Sequence, residues 1–426
     1  MTAAKNSKLA LAFILITVLI DIIGLGIIIP VLPHLIEELT GGTVAEAAVY
    51  GGFLLFVYAL MQFIFSPILG NLSDRFGRRP VLLLSLLGLT LDYILMGFAP
   101  TLAWLFVGRV LSGIMGAAVS TATAYIADIS TREKRAQNFG LIGAAFGAGF
   151  IIGPVVGGQL GEFGARVPFF AAAALAFVNL IFGYFVLPES LTMRKRRRFE
   201  IKRANPLGTL MSLRKYPYVL SFIAVLFFFS LAAQTYPSIW NFFTIERFDW
   251  SPSQVGYSLG AFGIMFAIVQ ALVIRPSMRW FGEVKTVLIG LTFAVIAFFG
   301  MAFIDTPLGL YTFLAMGAMG GLVVPGLTGL MANRVADNAQ GELQGGINAV
   351  NSITSIVGPL AATQLFSFFT TSPKAFTYFP GVPFFAAGIA VTLGAAWFVT
   401  TAIRAGLLLR RKAHFGQSAV PKEPDE

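Results

Sequence analysis

Three ionisable residues stand where water is scarce. Asp21 sits inside the apolar run ITVLIDIIGLGIIIP (16–30), Asp92 inside LDYILMGFA (91–99) and Arg109 inside GRVLSGIMGA (108–117). A charge in hydrocarbon is costly, so each should face a protein interior or a water-filled cavity. At a helical rise, Asp21 and Asp92 lie about 18 and about 20 Å from one face, and Arg109 about 10 Å from the other. In a core of about 30 Å, these depths put the three near one level. Arginine does not deprotonate. A carboxylate that moves between an apolar setting and an arginine would load and release a proton. The plainer alternative is a permanent structural ion pair and, for Asp92, a place at the outer interface.

These groups must be held by helices. The chain has 426 residues, 57% hydrophobic and 12% charged, with mean hydropathy +0.80; a soluble domain carries about 25% charged residues. Continuous apolar runs of membrane-spanning length recur at 9–33, 48–70, 79–98, 102–126, 136–160, 168–187, 216–244, 253–275, 284–304, 307–331, 340–368 and 380–408. Runs of this kind specify helices rather than the alternating strands of a membrane barrel. The expected fold is all-α and integral to the membrane, with twelve spans in two bundles of six.

The net charge of +10 could suggest nucleic acid, but its distribution points to a bilayer. All but four of the 30 Lys and Arg fall in the tails or on one side of the spans; the exceptions are Arg166, Arg247, Lys374 and the intramembrane Arg109. The positive-inside rule then places both termini in the cytoplasm, with the inner membrane as the expected location. The run RKRRR (194–198) reads as a solvated linker. Cysteine is absent and the only histidines, His34 and His414, are far apart, so no disulfide or metal site is expected. No GxxxxGK[ST] loop occurs, so ATP is not the expected energy source. No nucleophile–base pair suggests an enzyme, and no cofactor is implied. The first run exceeds a signal h-region and should remain as a span.

The polar stretch 188–215 divides the chain into a bundle over 1–187, a basic linker, a second bundle over 216–412 and a tail over 413–426. The halves repeat. GPVVGGQL at Gly153 matches GPLAATQL at Gly358, and RFGRR around Gly77 matches RWFGEV around Gly282 at the same offset. VPFFAA at 167–172 recurs at 382–387, slightly later, as an insertion before the last span requires. Parallel six-span repeats describe a two-bundle transporter with its site between the halves.

GNLSDRFGRRP (70–80) joins spans 2 and 3. Gly70 permits close approach and Gly77 a tight turn. Asp74 could meet the N-terminus of span 11 near Gly341, where the helix dipole favours an anion. Arg75, Arg78 and Arg79 could pair with acids at neighbouring helix ends, Asp128 foremost. Such a cluster would latch one face, whereas a bland reading is a solvated turn. In span 5, Gly149, Gly153, Gly157 and Gly158 leave a smooth groove, and Pro154 bends the helix; together they form a hinge or a tightly packed seam.

The second half has no carboxylate well inside a span but many amides. Gln234, Asn241, Gln270, Gln344, Asn348 and Asn351, with Gln62 from the first half, could line a cavity beside Tyr236, Trp240 and Phe266. Gln344, Asn348 and Asn351 share one helical face. The alternative is interhelical hydrogen bonding.

With these stretches, and with LIDIIGLGIIIPVLP (19–33), YALMQFIFSPILGNLSDRFGRRPVLLLS (58–85), GAGFIIGPVVGG (147–158) and QGELQG (340–345), the chain resembles the major facilitator superfamily, and within it the tetracycline/proton antiporter group. The resemblance implies drug export in exchange for protons by a monomer that needs no cofactor. Asp21, Asp92 and Arg109 would serve transport, Asp74 would be the gating acid, Arg78 would pair with Asp128, and the span 5 motif favours export over uptake. The group's histidine in span 8 and aspartate in span 9 fall at Phe266 and Ala294 here, so coupling would rest on the first half. The expected substrate is a small lipophilic or amphipathic, drug-like molecule, with tetracycline-like compounds included. Competing readings are a facilitator or proton symporter for another solute, and a receptor or scaffold that no longer transports.

Overall fold

The computed structural model describes residues 2–407, apart from 117, 192, 194–195, 197–212 and 337–338. Most of the 188–215 linker, the RKRRR run and the 413–426 tail lie outside the described residues. No strand occurs among those described.

Among the described residues, eleven continuous helices are long and apolar enough to cross a membrane. They are α1 Leu11–Thr40, α2 Val44–Phe76, α3 Arg78–Gly97, α4 Leu102–Ile129, α5 Gln137–Gly161, α6 Val167–Val186, α7 Val219–Phe248, a fused pair Pro252–Ala302, α10 Pro307–Ala332, α11 Gln340–Thr371 and α12 Val382–Arg404. The fused pair is two spans. Gly282, at φ 73° and ψ 171°, breaks it into α8 and α9. Gly77 makes the equivalent break between α2 and α3 at φ 109° and ψ 158°. Both angles lie where only glycine sits without strain, so the repeat seen in the sequence is a repeated backbone turn. Several helices run longer than their apolar cores: α1 continues through a 3₁₀ turn at Ile29–Val31 to Thr40, where Gly41 caps it in the left-handed conformation.

All the helix-to-helix turns that carry arginine clusters lie at one end, called the basic end below. At the opposite, far end, the two halves lock together. Asn241 of α7 donates a hydrogen bond to the Ile29 carbonyl of α1. Gly51 and Gly52 of α2 admit Phe242 of α7 and Thr363 of α11. Gly158 and Gly161 of α5 lie against Pro252 of α8, and Gly256 of α8 lies against the Pro154 carbonyl. Small residues here let backbones approach, which is how helices associate without a hydrophobic drive. Towards the basic end the packing stops: Gly140, Gly143 and Gly147 of α5, Gly70 of α2 and Gly341 of α11 have nothing near the place a Cβ would occupy. The described bundle is therefore closed at the far end and open at the basic end.

Candidate functional site

Polar groups from α1 to α4 converge inside the first half. Asp92 is fully buried, which removes the outer-interface alternative, and neither carboxylate oxygen has a hydrogen-bond partner. Arg109 on the adjoining α4 is 7% exposed, and its Nε is also unpartnered. The Ser112 hydroxyl, one turn along α4, donates to the Gly108 carbonyl at 3.0 Å and also lies close enough to act on Asp92. Asp21 of α1 is half-buried with one oxygen sealed off and unpartnered. Two tyrosines link the set: Tyr58 of α2 and Tyr93 of α3 are each within electrostatic reach of Asp21, Asp92 and Arg109. Gln62, a turn from Tyr58, donates to its hydroxyl at 3.3 Å and to the Gly116 carbonyl at 3.4 Å.

Two expectations are corrected by this geometry. Among the described residues Arg109 forms no ion pair with either aspartate, although it lies within electrostatic reach of Asp92. Gln62 belongs to this first-half polar cluster and not to the wall of the cavity described below. Tyr58 and Tyr93 were missed by sequence reasoning, although Tyr93 directly follows Asp92 and Tyr58 precedes Gln62 by one helical turn.

A cavity of about 380 Å³ opens in the second half. Phe150 of α5 is its wall from the first half. Gln234, Tyr236 and Trp240 of α7, Phe266 and Gln270 of α8, Ala294 of α9 and Asn351 of α11 contribute, with Phe229, Phe262 and Phe298. The rings are mutually packed: Tyr236 stacks on Phe262 at 5.5 Å and meets Phe298 at 5.2 Å and Phe384 at 5.7 Å. The helices around this cavity are interrupted beside it. α7 breaks at Gln234, α8 has a π turn at Val269–Val273 that contains Gln270, and α10 tightens to a 3₁₀ turn at Met319–Leu322. Irregular backbone at membrane depth is tolerated where it lines a cavity, and π turns concentrate at functional sites. Gln234 donates to Ser355 at 2.8 Å and Asn351 accepts from Ser230 at 3.3 Å. The Tyr236 hydroxyl is buried without a partner.

Asn241 does not line the cavity: its side chain is spent on the far-end closure with Ile29. Gln344 and Asn348 also lie off the cavity wall, bonded to each other at 3.4 Å on an exposed face of α11 near the basic end. Sequence periodicity shows which residues share a helical face, but not which face is a cavity and which is a contact.

At the basic end, Arg78 is pinned inside the first half. It reaches Asp74 at 2.6 Å, the Ser73 hydroxyl at 2.6 Å and Asp128 at 3.2 Å. Asp128 also accepts from Ser190 at 3.2 Å. Arg79 donates to the Tyr184 carbonyl at 2.6 Å, and Arg75 lies over the Phe76 ring at 5.1 Å. The expected contact of Asp74 with the start of α11 is not made. Asp74 is engaged by Arg78, and Gly341 faces open space because this end is apart. Glu189, absent from the sequence-level set, accepts from the backbone N–H of Arg78 at 2.9 Å and of Arg79 at 3.2 Å. It supplies the acceptor that Gly77, with no side-chain oxygen, cannot offer at the start of α3. Its signal in the sequence was a lone acid at the end of a span, ahead of a basic linker.

The α5 glycines divide between two seams. Gly149 and Gly153 face Ile22 and Gly26 of α1, and Gly157 faces Ile27; a Cβ on Gly153 would stand 2.8 Å from Gly26 Cα. Gly158, on the adjoining face, touches α8 across the halves, and Pro154 meets both α1 and α8.

The Major Facilitator Superfamily family model matches residues 14–359 and, in an overlapping match, 245–416. Tetracycline resistance protein, class C, of Escherichia coli is 41% identical over 362 residues, covering 85% of this chain and 91% of that one. Multidrug resistance protein 1 of Bacillus subtilis (strain 168) is 31% identical over 92% of this chain and 97% of its own. A crystal structure of a bacterial homologue of the human lysosomal transporter Spinster aligns with TM-score 0.78 at 15% identity, over 96% of this chain and 99% of that one, a likeness of fold. With its twelve spans, its repeated glycine turns and these relatives, the chain belongs to the Major Facilitator Superfamily.

Proposed function

We propose that the protein is a proton-coupled exporter that takes lipophilic or amphipathic drug-like molecules from the cytoplasmic side, tetracycline-like compounds among them. It works as a monomer in the inner membrane, with 1–187 and 216–412 rocking about the linker 188–215. The basic loops set the orientation, by the positive-inside rule; the open end then faces the cytoplasm.

The observation that carries the reading is the unpaired state of Asp92. A carboxylate buried within a span without a hydrogen-bond partner is costly to keep, which supports a role in transport rather than in the fold. Rocking that brings Arg109 or water to it would favour the ion and release the proton. Asp21 is the second carrier, and Tyr58 and Tyr93 lie within electrostatic reach of both aspartates. Substrate enters the aromatic cavity, where Trp240, Phe266 and Tyr236 offer ring faces and Gln234, Gln270 and Asn351 offer hydrogen bonds. Arg78, Asp74 and Asp128 hold the first half's gating turn while the far end is closed, and Asp74 becomes free to cap α11 only when the basic end closes.

The test is transport. Proteoliposomes with an imposed pH gradient should show drug-dependent proton flux that Asp21→Asn and Asp92→Asn each reduce. Drug movement that ignores the gradient would favour a facilitator. Unchanged coupling in both variants would overturn the carboxylate assignment.

A further inference from the structure

A second pocket, of about 310 Å³, lies away from the transport cavity, at the basic end between the start of α7 and the last turns of α12. It is lined by Tyr218, Ser221, Trp397, Thr400, Thr401 and Arg404. Its polar side chains are Arg404, the Trp397 indole and four hydroxyls, of which Thr400 donates to the Trp397 carbonyl at 2.9 Å. The Thr401 side chain is 5% exposed, lines the pocket and makes no hydrogen bond among the described residues; the half-buried Ser221 hydroxyl is equally unpartnered. Arg404 pairs with no carboxylate among the described residues, and its carbonyl is already taken by the Tyr218 hydroxyl at 3.2 Å. No acid lines the pocket. The first turn of α7, whose N–H groups have no intrahelical acceptor, opens at the same place. Tyr218 and Trp397 are part-exposed, 39% and 49%, as amphipathic rings at a membrane–water boundary are.

An arginine fork, two free hydroxyls and no competing acid fit a tetrahedral oxyanion better than a neutral or cationic group. We propose that this pocket binds a phosphate group, and that its source is the headgroup of an acidic phospholipid. The rings would lie against the glycerol and upper acyl region while Arg404, Thr401 and Ser221 take the phosphate oxygens. A lipid held there bridges α7 and α12, the first and last helices of the second half, at the end that opens.

Native mass spectrometry of the full chain in detergent tests this, with phosphatidylglycerol, phosphatidylcholine or inorganic phosphate added in turn. Wild type should retain one phosphatidylglycerol through desalting, with Arg404→Gln retaining about tenfold less, as loss of a charge-assisted pair predicts. The double variant Ser221→Ala, Thr401→Val keeps the charge and should also retain less, which covers the case in which Arg404→Gln fails to fold. Inorganic phosphate that raises the thermal midpoint of wild type but not of Arg404→Gln would support the phosphate chemistry and assign the site to a soluble ion. Equal retention of phosphatidylglycerol by wild type and both variants, or of phosphatidylcholine as well as phosphatidylglycerol, would overturn the proposal.

Discussion

Asp92 and Arg109 are buried neighbours on adjacent helices that do not form an ion pair. Asparagine matches the carboxyl in size and is equally without a partner here, so stability and transport should respond separately. Asp92→Asn should change unfolding stability by no more than about 1 kcal/mol. Proton-coupled flux should fall at least about tenfold, an energy of about 1.4 kcal/mol at the coupling step. Thermal unfolding in detergent and proteoliposome flux, measured on the same preparation, check both. A marked loss of stability would mean that the carboxylate has a structural partner.

Tyr236 gives a second separation of roles. Its hydroxyl is buried without a hydrogen-bond partner in the protein, so Tyr236→Phe should be neutral or slightly stabilising, within about 1 kcal/mol. If the hydroxyl bonds substrate, affinity should drop by about 1 kcal/mol, roughly fivefold. Fluorescence quenching of the five tryptophans by bound drug reads this, and an unchanged Kd would remove Tyr236 from the polar contacts.

Adjacent glycines on α5 should behave differently. A methyl at Gly157 meets the Ile27 backbone within the same half, so Gly157→Ala should destabilise folding by about 1–3 kcal/mol. A methyl at Gly158 meets Pro252 and Ser253 of the other half, so Gly158→Ala should instead part the far end. The chain has no cysteine, so single cysteines introduced at the far end report that opening by their rate of labelling. Equal labelling in Gly158→Ala and wild type would count against the seam.

Glu162, just beyond α5, accepts from the Ser253 backbone N–H at 3.0 Å at the start of α8. Hydrogen bonds from Ser253 and Ser251 hold its carboxyl below its ordinary value of 4.5, and the charge of His34 acts in the same direction. Once the far end opens, those bonds are lost and the pKa returns to normal. The closed state therefore gains from Glu162 above the ordinary carboxylate range and loses that gain as pH falls through the lowered value. Far-end labelling should rise as the external pH drops below about 4.5, and Glu162→Gln should flatten the profile. Because the group is exposed, the effect should be small and shrink further in salt.

The twelve spans were legible because a bilayer demands a minimum apolar length, which residue counting detects. Their ends were less so: α1 reaches Thr40 and α2 reaches Phe76 because helix continues past the apolar stretch wherever capping residues allow. The split at Gly282 was visible as a repeat of Gly77. The closed and open ends were not legible, since one sequence must supply both states. That is why Asn241 read as a cavity amide and proved to bind Ile29, and why Asp74 was matched with α11 but is held by Arg78. Glu189 and Glu162 escaped notice for a related reason. Each serves a helix start distant in sequence, and only three-dimensional structure brings acceptor and N–H together.

The far-end closure between the spans is built of glycine contacts with Phe242, Thr363 and Pro252 and of the hydrogen bonds from Asn241 to the Ile29 carbonyl and from Gln159 to the Tyr257 hydroxyl. None of these groups is ionised, and Glu162 lies outside the span. Parting this seam therefore carries no charge through the membrane's electric field, where each elementary charge would respond by about 2.3 kcal/mol per 100 mV. Voltage then acts on the cycle through groups such as Asp21, Asp92 and Arg109 and through whatever proton or substrate charge crosses. A transport rate that varies with membrane potential would thus report on those groups and on the charge of the substrate, not on the seam.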